Sequence, residues 1–184
     1  MMNRKGIALL LASGLTAGAA AAEGPYFGLG YQNLQADMVD VTLDTAVLTG
    51  GWQVNENFAL EASYTTTLSK DSSGLALGGN QFVDDVRVRH GWIASAIGSL
   101  PITENLSAYA RVGWGWHRMQ LDIVDAGTGA EMSDRSWVDD PVFGAGLRAQ
   151  ISPMGEVRAE WTRLFDDSNV NATGLSFTYV QHIR

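Results

Sequence analysis

The sequence predicts an all-β chain whose eight antiparallel strands form an up-and-down barrel. From Pro25 onward, short runs rich in Val, Tyr, Trp, Phe and Thr alternate apolar with polar residues, and clusters of Gly, Asn, Asp and Ser separate them. No stretch keeps the 3.6-residue period of an amphipathic helix. The connections between the runs alternate between short and long, which is typical of a meander with all its tight turns at one end.

The first 22 residues predict an export signal. Arg4 and Lys5 form a positive segment, residues 6–16 are apolar, and the alanines at 20–22 supply the small residues of a cleavage site. The uncharged stretch 6–22 has 17 residues diluted by Gly, Ser and Thr, which is at the lower limit for a membrane anchor. We therefore expect a signal peptide over 1–22, cleavage after Ala22, and one barrel domain over 23–184.

Eight strands and their connections follow in order along the barrel domain. The predicted strands are 26–36, 46–54, 58–68, 86–99, 106–121, 141–151, 156–165 and 171–183. Tight turns at 55–57, 101–105 and 152–155 consist of residues suited to turns, among them Asn, Pro and Gly. The longer connections, 37–45, 69–85, 122–140 and 166–170, fall at the opposite end. Both ends of the domain lie at the turn end.

Composition and charge exclude several classes of function. The chain has no cysteine, which excludes a thiol nucleophile, a Cys-ligated metal and disulfides. Cleavage would remove 2 of 12 basic residues, leaving 10 against 20 acidic residues and a formal charge of −10, which argues against nucleic acid as a partner. After the signal, no segment approaches the roughly 18 consecutive apolar residues of a membrane-crossing helix, so only a closed barrel could cross.

Alternation along the strands separates an apolar from a polar face. In strand 106–121, Val112, Trp114 and Trp116 fall on one face, opposite Tyr109 and Arg111. This pattern leaves two alternatives open. The apolar faces contact lipid in a membrane barrel, whereas they point inward in a soluble periplasmic barrel that binds an apolar ligand, as lipocalins do.

Glycines on the polar faces favour the membrane barrel. Glycine weakens a strand and has no advantage on a face that meets water. An eight-stranded barrel has an interior just wide enough for side chains to fill, so large charged side chains there must be offset by residues without one. The polar faces carry Gly28, Gly30, Gly51, Gly91, Gly113, Gly115, Gly144, Gly146 and Gly174.

The polar faces also carry charges of both signs, as ions removed from water require. They are Arg87, Arg89, Arg111, Arg148, Arg158, Glu61, Glu156 and Glu160. Counted at about 3.3 Å per residue from the turn end, five of them fall at similar depths. We therefore predict a structural charge cluster in a plugged lumen, formed by Glu61, Arg111, Arg148, Arg158 and Glu160. Arg87 and Arg89 lie nearer the loop end, close in sequence to Asp84 and Asp85.

Aromatic residues on the apolar faces support contact with lipid, because membrane barrels carry aromatic girdles at the head groups. The preference of aromatic residues for strands explains part of the pattern. The residues are Tyr31, Trp52, Phe58, Tyr64, Trp92, Trp114, Trp116, Phe143, Trp161, Phe165, Phe177 and Tyr179.

Three segments carry a resemblance to a known family. Residues 26–31, Tyr-Phe-Gly-Leu-Gly-Tyr, resemble an opening strand of the outer-membrane β-barrel superfamily of small OmpA/OmpX-type and opacity-type proteins. Residues 51–61 resemble its second hairpin, and 174–179 are similar to the C-terminal signal read by the barrel-assembly machinery. The resemblance covers nearly the whole barrel domain. It implies a transmembrane barrel in the bacterial outer membrane, with roles such as adhesion or envelope stability.

The pattern of histidines predicts neither a metal site nor an enzyme. His90, His117 and His182 are scattered, and none has a second ligand at metal-binding spacing. Enzymes of the family, which modify lipid A, imply a Ser and a His near the membrane surface, but no His-x-Ser occurs here. We expect no catalytic residue and no cofactor, with a lipid A-modifying enzyme as an alternative.

The predicted loops hold 14 of the 20 acidic residues. They are Asp37, Asp40, Asp44, Asp71, Asp84, Asp85, Asp122, Asp125, Glu131, Asp134, Asp139, Asp140, Asp166 and Asp167. An acidic loop end fits a basic partner, or divalent cations that bridge to lipopolysaccharide, and it equally fits a solvated surface that prevents association. We expect a structural or surface-interaction protein rather than a porin. Its partners are outer-membrane lipids, lipopolysaccharide, the assembly machinery and an unidentified surface ligand.

Overall fold

Nine strands are present in the part of the chain that the computed structural model describes, residues 23–36, 41–68, 75–78, 81–125, 131–167 and 170–183. The predicted export signal, residues 1–22, lies outside these ranges. Within them, the chain has no helix of the length and apolarity that membrane crossing requires. The strands are β1 Gly24–Ala36, β2 Val41–Gln53, β3 Phe58–Thr67, β4 Leu75–Gly78, β5 Gln81–Pro101, β6 Leu106–Asp125, β7 Glu131–Ser152, β8 Gly155–Asp167 and β9 Val170–His182.

Eight of these strands close into a barrel in the order β1, β2, β3, β5, β6, β7, β8, β9. β9 pairs with β1 and β3 pairs with β5, so the sheet returns on itself. Every pairing around the barrel is antiparallel. The prediction of an eight-stranded antiparallel up-and-down barrel is confirmed. The short β4 pairs with β5 outside the ring.

Several strands extend further toward the loop end than predicted. β2 begins at residue 41 instead of 46, β5 at 81 instead of 86, and β7 at 131 instead of 141. β6 and β7 stay paired as far as Val124 and Glu131, so much of the predicted connection 122–140 is a hairpin. The predicted connection 69–85 contains β4. The sequence did not predict these extensions, because strand residues outside the apolar band lack the alternation that identifies a strand.

The turn end has the short connections that the sequence predicts. Oδ1 of Asn55 accepts hydrogen bonds from the backbone N–H groups of Asn57 and Phe58, both at 2.9 Å. In the next turn, Oγ1 of Thr103 accepts one from the N–H of Leu106 at 3.1 Å. These side chains take the place of backbone partners, which is why Asn and Thr suit these positions.

Side chains alternate between the outside and the inside of the barrel as predicted. In β3, Leu60 is 59% exposed, whereas the adjacent Glu61 is 4% exposed. In β6, Trp114 and Trp116 face outward and His117 is buried. A soluble barrel with an apolar interior requires the opposite orientation, so that alternative is wrong.

Of the aromatic residues assigned to the apolar faces, all except Phe165 are described, and these lie on the outside, with Tyr64 partly buried. Two aromatic residues that were not in the predicted set, Phe27 and Trp137, are also exposed. The side chain of Phe165 lies outside the described residues. The outer surface therefore has the apolar and aromatic character that lipid contact requires.

Candidate functional site

The candidate site is a group of charged side chains in the turn-side half of the lumen, called here the ion cluster. It consists of Glu61 on β3, Arg111 on β6, and Glu156, Arg158 and Glu160 on β8. The three residues of β8 are spaced by two, so all of them point inward. Three strands on different sides of the barrel are thereby connected through its interior.

Glu61 lies at the centre of the ion cluster. Its Oε1 accepts a hydrogen bond from Nη2 of Arg111 at 2.5 Å, and its Oε2 accepts one from Nη1 of Arg158 at 2.6 Å. The hydroxyl of Tyr26 donates to Oε2 at 3.0 Å and that of Ser63 to Oε1 at 3.2 Å. The side chain of Glu61 is 0% exposed. Such a buried carboxylate is tolerated only because charged and polar groups surround it.

The two arginines extend the chain of ion pairs to both sides. Arg158 donates through Nε to Oε1 of Glu156 at 2.6 Å. Nε of Arg111 lies 3.1 Å from Oε1 of Glu160, although it is not aligned for a hydrogen bond. Charges therefore alternate in sign along the order Glu156, Arg158, Glu61, Arg111, Glu160, so each charge has a partner of opposite sign.

Two tyrosines complete the ion cluster. The guanidinium of Arg158 lies 5.0 Å from the ring centre of Tyr26 and 6.0 Å from that of Tyr109, both within cation–π range. The hydroxyl of Tyr109 donates to Oε2 of Glu160 at 2.7 Å, and that of Thr162 donates to Oε1 at 2.7 Å. The two rings therefore pack around the guanidinium of Arg158, while the hydroxyl of Tyr26 donates to Glu61 and that of Tyr109 donates to Glu160.

Four of the five residues predicted for the lumen charge cluster lie together in this group: Glu61, Arg111, Arg158 and Glu160. Arg148 lies nearer the turn end, where its Nη2 donates to the backbone carbonyl of Glu56 at 3.2 Å. Arg148 and Glu156 both line a small pocket at the turn-end mouth of the barrel.

Sequence reasoning left Glu156, Tyr26 and Tyr109 out of the group. Glu156 stands on the same face as Arg158 and two positions before it, which was the available signal. Tyr26 and Tyr109 also lie on polar faces, but they were not predicted as members because the prediction considered only charged residues. The side chains of Arg87 and Arg89 lie outside the described residues.

Lumen-facing glycines make room for these large side chains. A Cβ on Gly51 would collide with the ring of Tyr26. A Cβ on Gly146 would lie 2.9 Å from Cζ of Tyr109, and one on Gly144 would lie 2.9 Å from Oε1 of Glu160. All nine glycines assigned to the polar faces have an atom within 3 Å of such a Cβ; the nearest is a backbone oxygen of the adjacent strand at Gly113 and Gly146, and a lumen side chain is nearest or equally near at the others.

Beyond the ion cluster, toward the loop end, the lumen is apolar. This apolar layer consists of Leu34, Leu43, Ile93, Val142, Leu164 and Ala172, with Val138 packed against it. Every one of the six is at most 5% exposed. The sequence predicted an ion-paired lumen, and the layer was missed because each strand contributes only one of its six members.

The three histidines lie in different parts of the barrel. The ring of His90 packs against that of Trp137 at 5.9 Å, His117 is buried beside Gly91 and Gly115, and Nε2 of His182 lies 3.9 Å from Oε2 of Glu156. Across the ranges that the structure describes, no three side chains of the His, Cys, Asp and Glu types come together as metal ligands.

The acidic residues of the predicted loops are described only in part. Oδ1 of Asp44 accepts hydrogen bonds from the hydroxyl of Tyr31 and from Nδ2 of Asn33, the latter at 3.1 Å. Oδ2 of Asp139 accepts one from Nε1 of Trp114 at 3.3 Å. Asp37, Asp40 and Asp71 lie outside the described residues, and so do the side chains of Asp84, Asp85, Asp122, Asp125, Glu131, Asp134, Asp166 and Asp167.

Comparison with known proteins agrees with this architecture. Residues 7–181 match the family model of the outer membrane protein beta-barrel domain. No curated protein matches the sequence.

Among solved structures, the barrel is similar to Ail, the attachment invasion locus protein of Yersinia pestis, with 16% identity over 87% of this chain and 99% of that chain, at a TM-score of 0.61. Neisserial surface protein A is 14% identical over 90% and 99% of the two chains, at a TM-score of 0.61. The N-terminal β-barrel domain of Pseudomonas aeruginosa OprF is 13% identical over 86% and 99%, at 0.54. Similarity at these identities shows a shared fold.

Proposed function

The chain belongs to the outer membrane protein beta-barrel domain family and is a small eight-stranded barrel of the bacterial outer membrane, and from this premise we propose that it is a closed structural or surface-interaction protein. Its lumen is plugged, and its acidic loop end faces outward from the cell. Residues 1–22 are its export signal, removed after Ala22, and the assembly machinery of the outer membrane recognises residues 174–179.

The single observation that carries the closed lumen is its filling by buried side chains, among them those of the ion cluster. Its carboxylates and guanidinium groups join β3, β6 and β8 through the interior, and their side chains are at most 9% exposed. An eight-stranded barrel has an interior just wide enough to be filled by side chains. A filled interior of this kind supports a role other than that of a wide pore.

The acidic loop end supports a surface role toward cationic groups. One structural neighbour, Ail, has been solved in complex with the heparin analogue sucrose octasulfate, which is a polyanion. The loop-side ends of the strands and the loops between them hold 14 of the 20 acidic residues, so they would repel such a ligand. The fitting partners are instead a basic surface, or divalent cations that connect the loops to lipopolysaccharide phosphates.

The alternative function is modification of lipid A. The sequence contains no His-x-Ser, and we propose no catalytic residue and no cofactor. Expression of the protein with mass spectrometry of lipid A checks this point. An altered lipid A mass would require an enzyme.

The proposed function is tested by fractionation, gel mobility and conductance. The protein should be recovered from the outer membrane, and its mobility should change on boiling, as that of a folded barrel does. Purified protein in planar lipid bilayers should show no steady large conductance. Such a conductance would contradict the closed lumen.

A further inference from the structure

The apolar layer crosses the whole lumen on the loop side of the ion cluster. Its members come from β1, β2, β5, β7, β8 and β9, six of the eight barrel strands. The two other barrel strands contribute Thr65 and His117, both buried. A Cβ on Gly115 would contact both the imidazole of His117 and Cγ2 of Val142, so this histidine adjoins the layer. Side chains from every side of the barrel therefore meet at this level.

The ion cluster, by contrast, borders a polar cavity of about 30 Å³. The charged side chains of Glu61, Arg111, Arg158 and Glu160 line the cavity together with Ser176, and Ile93 of the apolar layer also borders it. A polar space of this size holds water molecules. Water there can hydrogen-bond to the carboxylates and guanidinium groups, so this level of the lumen is suited to hydration.

We propose that the apolar layer is the barrier that keeps water and ions from passing along the lumen, and that the ion cluster joins the strands around a hydrated cavity without sealing it. This inference rests on the proposed closed lumen and locates the closure within it. An ion that enters the apolar layer loses its hydration and meets mainly aliphatic side chains, with the hydroxyl of Thr65 and the imidazole of His117 too few to replace its hydration water. Hydrophobic constrictions exclude water for the same reason. An ion in the cavity, however, meets charged groups that replace its hydration water.

Thiol accessibility tests this assignment directly, because the natural chain has no cysteine. Ser176→Cys places a single thiol in the cavity, four positions nearer the turn end than Ala172 of the apolar layer. The protein is inserted in lipid vesicles with its loop end outward, and Ag⁺, a small cation that binds thiols, is added outside. The thiol that remains after quenching is measured by maleimide labelling of the unfolded protein.

Two sets of substitutions separate the two levels of the lumen. Ile93→Thr, Val142→Thr and Leu164→Thr together make the apolar layer polar, and Glu61→Gln with Arg158→Gln removes one pair of opposite charges from the ion cluster. We expect the first set to raise the rate of thiol loss by about tenfold or more, because water then enters the layer. The second set should leave the rate within about twofold of that of Ser176→Cys alone.

Three controls keep the outcome interpretable. Thr103→Cys, in an exposed turn, must stay unreacted, which shows that Ag⁺ does not reach the turn end. Each variant must show mobility that changes on boiling, as a sign of folding. Ile93→Thr with Val142→Thr, which keeps the β-branched shape at both positions, replaces the triple variant if that variant does not fold.

The proposal is overturned if the threonine substitutions in the apolar layer leave the rate of thiol loss unchanged. It is also overturned if the substitutions in the ion cluster raise this rate as much as the threonine substitutions do. Failure of the closed lumen itself is recognised separately, since it appears as conductance of the unsubstituted chain in planar bilayers.

Discussion

At the scale of single residues, Glu61 connects two arginines of the lumen, because each of its carboxylate oxygens accepts a hydrogen bond from a different guanidinium. Arg111 and Arg158 approach it from β6 and β8, and both arginine side chains are at most 9% exposed. Removal of the shared anion would leave two buried cations with less compensation. Breaking a buried pair from one side is costly for that reason.

We predict that Glu61→Gln lowers the free energy of unfolding by about 3–5 kcal/mol. The measurement is urea unfolding in lipid vesicles, followed by the change in gel mobility on boiling. Glu56→Gln is the control, because Glu56 is exposed in a turn and should change stability by less than about 0.5 kcal/mol. Equal effects of the two substitutions would argue against a stabilising ion cluster.

The adjacent glycines at 50 and 51 give a second prediction at this scale. Gly51→Ala should destabilise the barrel by about 1–3 kcal/mol, because the added methyl group overpacks the lumen against the ring of Tyr26. Gly50→Ala meets nothing within 4 Å on the outer face, so it should be neutral or stabilising by about 0.4–1 kcal/mol. The same unfolding assay compares them, and a larger loss at Gly50 would reverse the assigned faces.

At the scale of elements, the hairpin of β6 and β7 is longer than membrane crossing requires. Its strands have 20 and 22 residues, whereas about 9–11 residues suffice for a transmembrane strand. The upper part pairs within the hairpin and with the start of β5. β7 pairs with β8 only from Phe143 toward the turn end. The hairpin therefore rises beyond the closed ring.

Shortening this hairpin should leave the barrel intact. We predict that replacing residues 122–134 by a short Asn-Gly turn preserves membrane insertion and the change in mobility on boiling, because no strand pair that closes the ring is removed. Outer-membrane recovery of the shortened protein is the measurement. Loss of folding would mean that the barrel needs the upper hairpin.

The orientation of the two faces is a property of the whole molecule. Alternation along one strand cannot decide whether its apolar side faces lipid or a core, because both solutions have the same period. The decision comes from what the inside must hold. A lumen filled by arginine, glutamate and tyrosine around glycines excludes a ligand-binding core and leaves the apolar side for lipid.

A charge on the outer face should therefore be costly in a bilayer. We predict that Ala145→Arg, on the exposed side of β7, lowers the free energy of unfolding in lipid vesicles by about 2–4 kcal/mol, because arginine on the lipid-facing side of a barrel is costly. Thr103→Arg, in an exposed turn, is the matched control and should have little effect. A tolerated arginine at 145 would contradict contact with lipid there.

The sequence by itself determined the all-β class, the eight barrel strands, the turn end and the face each side chain takes. These features depend on local properties, namely a two-residue period and residues suited to turns. The sequence also placed Glu61, Arg111, Arg148, Arg158 and Glu160 at similar depths, because distance from a turn can be counted along each strand, and all of them except Arg148 lie together in the ion cluster. The sequence overestimated the lengths of the loops, because the parts of the strands that lie outside the lipid band carry no apolar alternation.

Only the tertiary structure decided which lumen residues meet. Glu61 is 50 positions from Arg111 and 97 from Arg158, and their contact depends on the stagger of strands around the closed sheet. The same stagger places Arg148 at the turn-end mouth and brings one apolar residue from each of six strands into a single layer. No strand shows this layer alone, because a cross-section of a barrel is assembled from all of its strands at once.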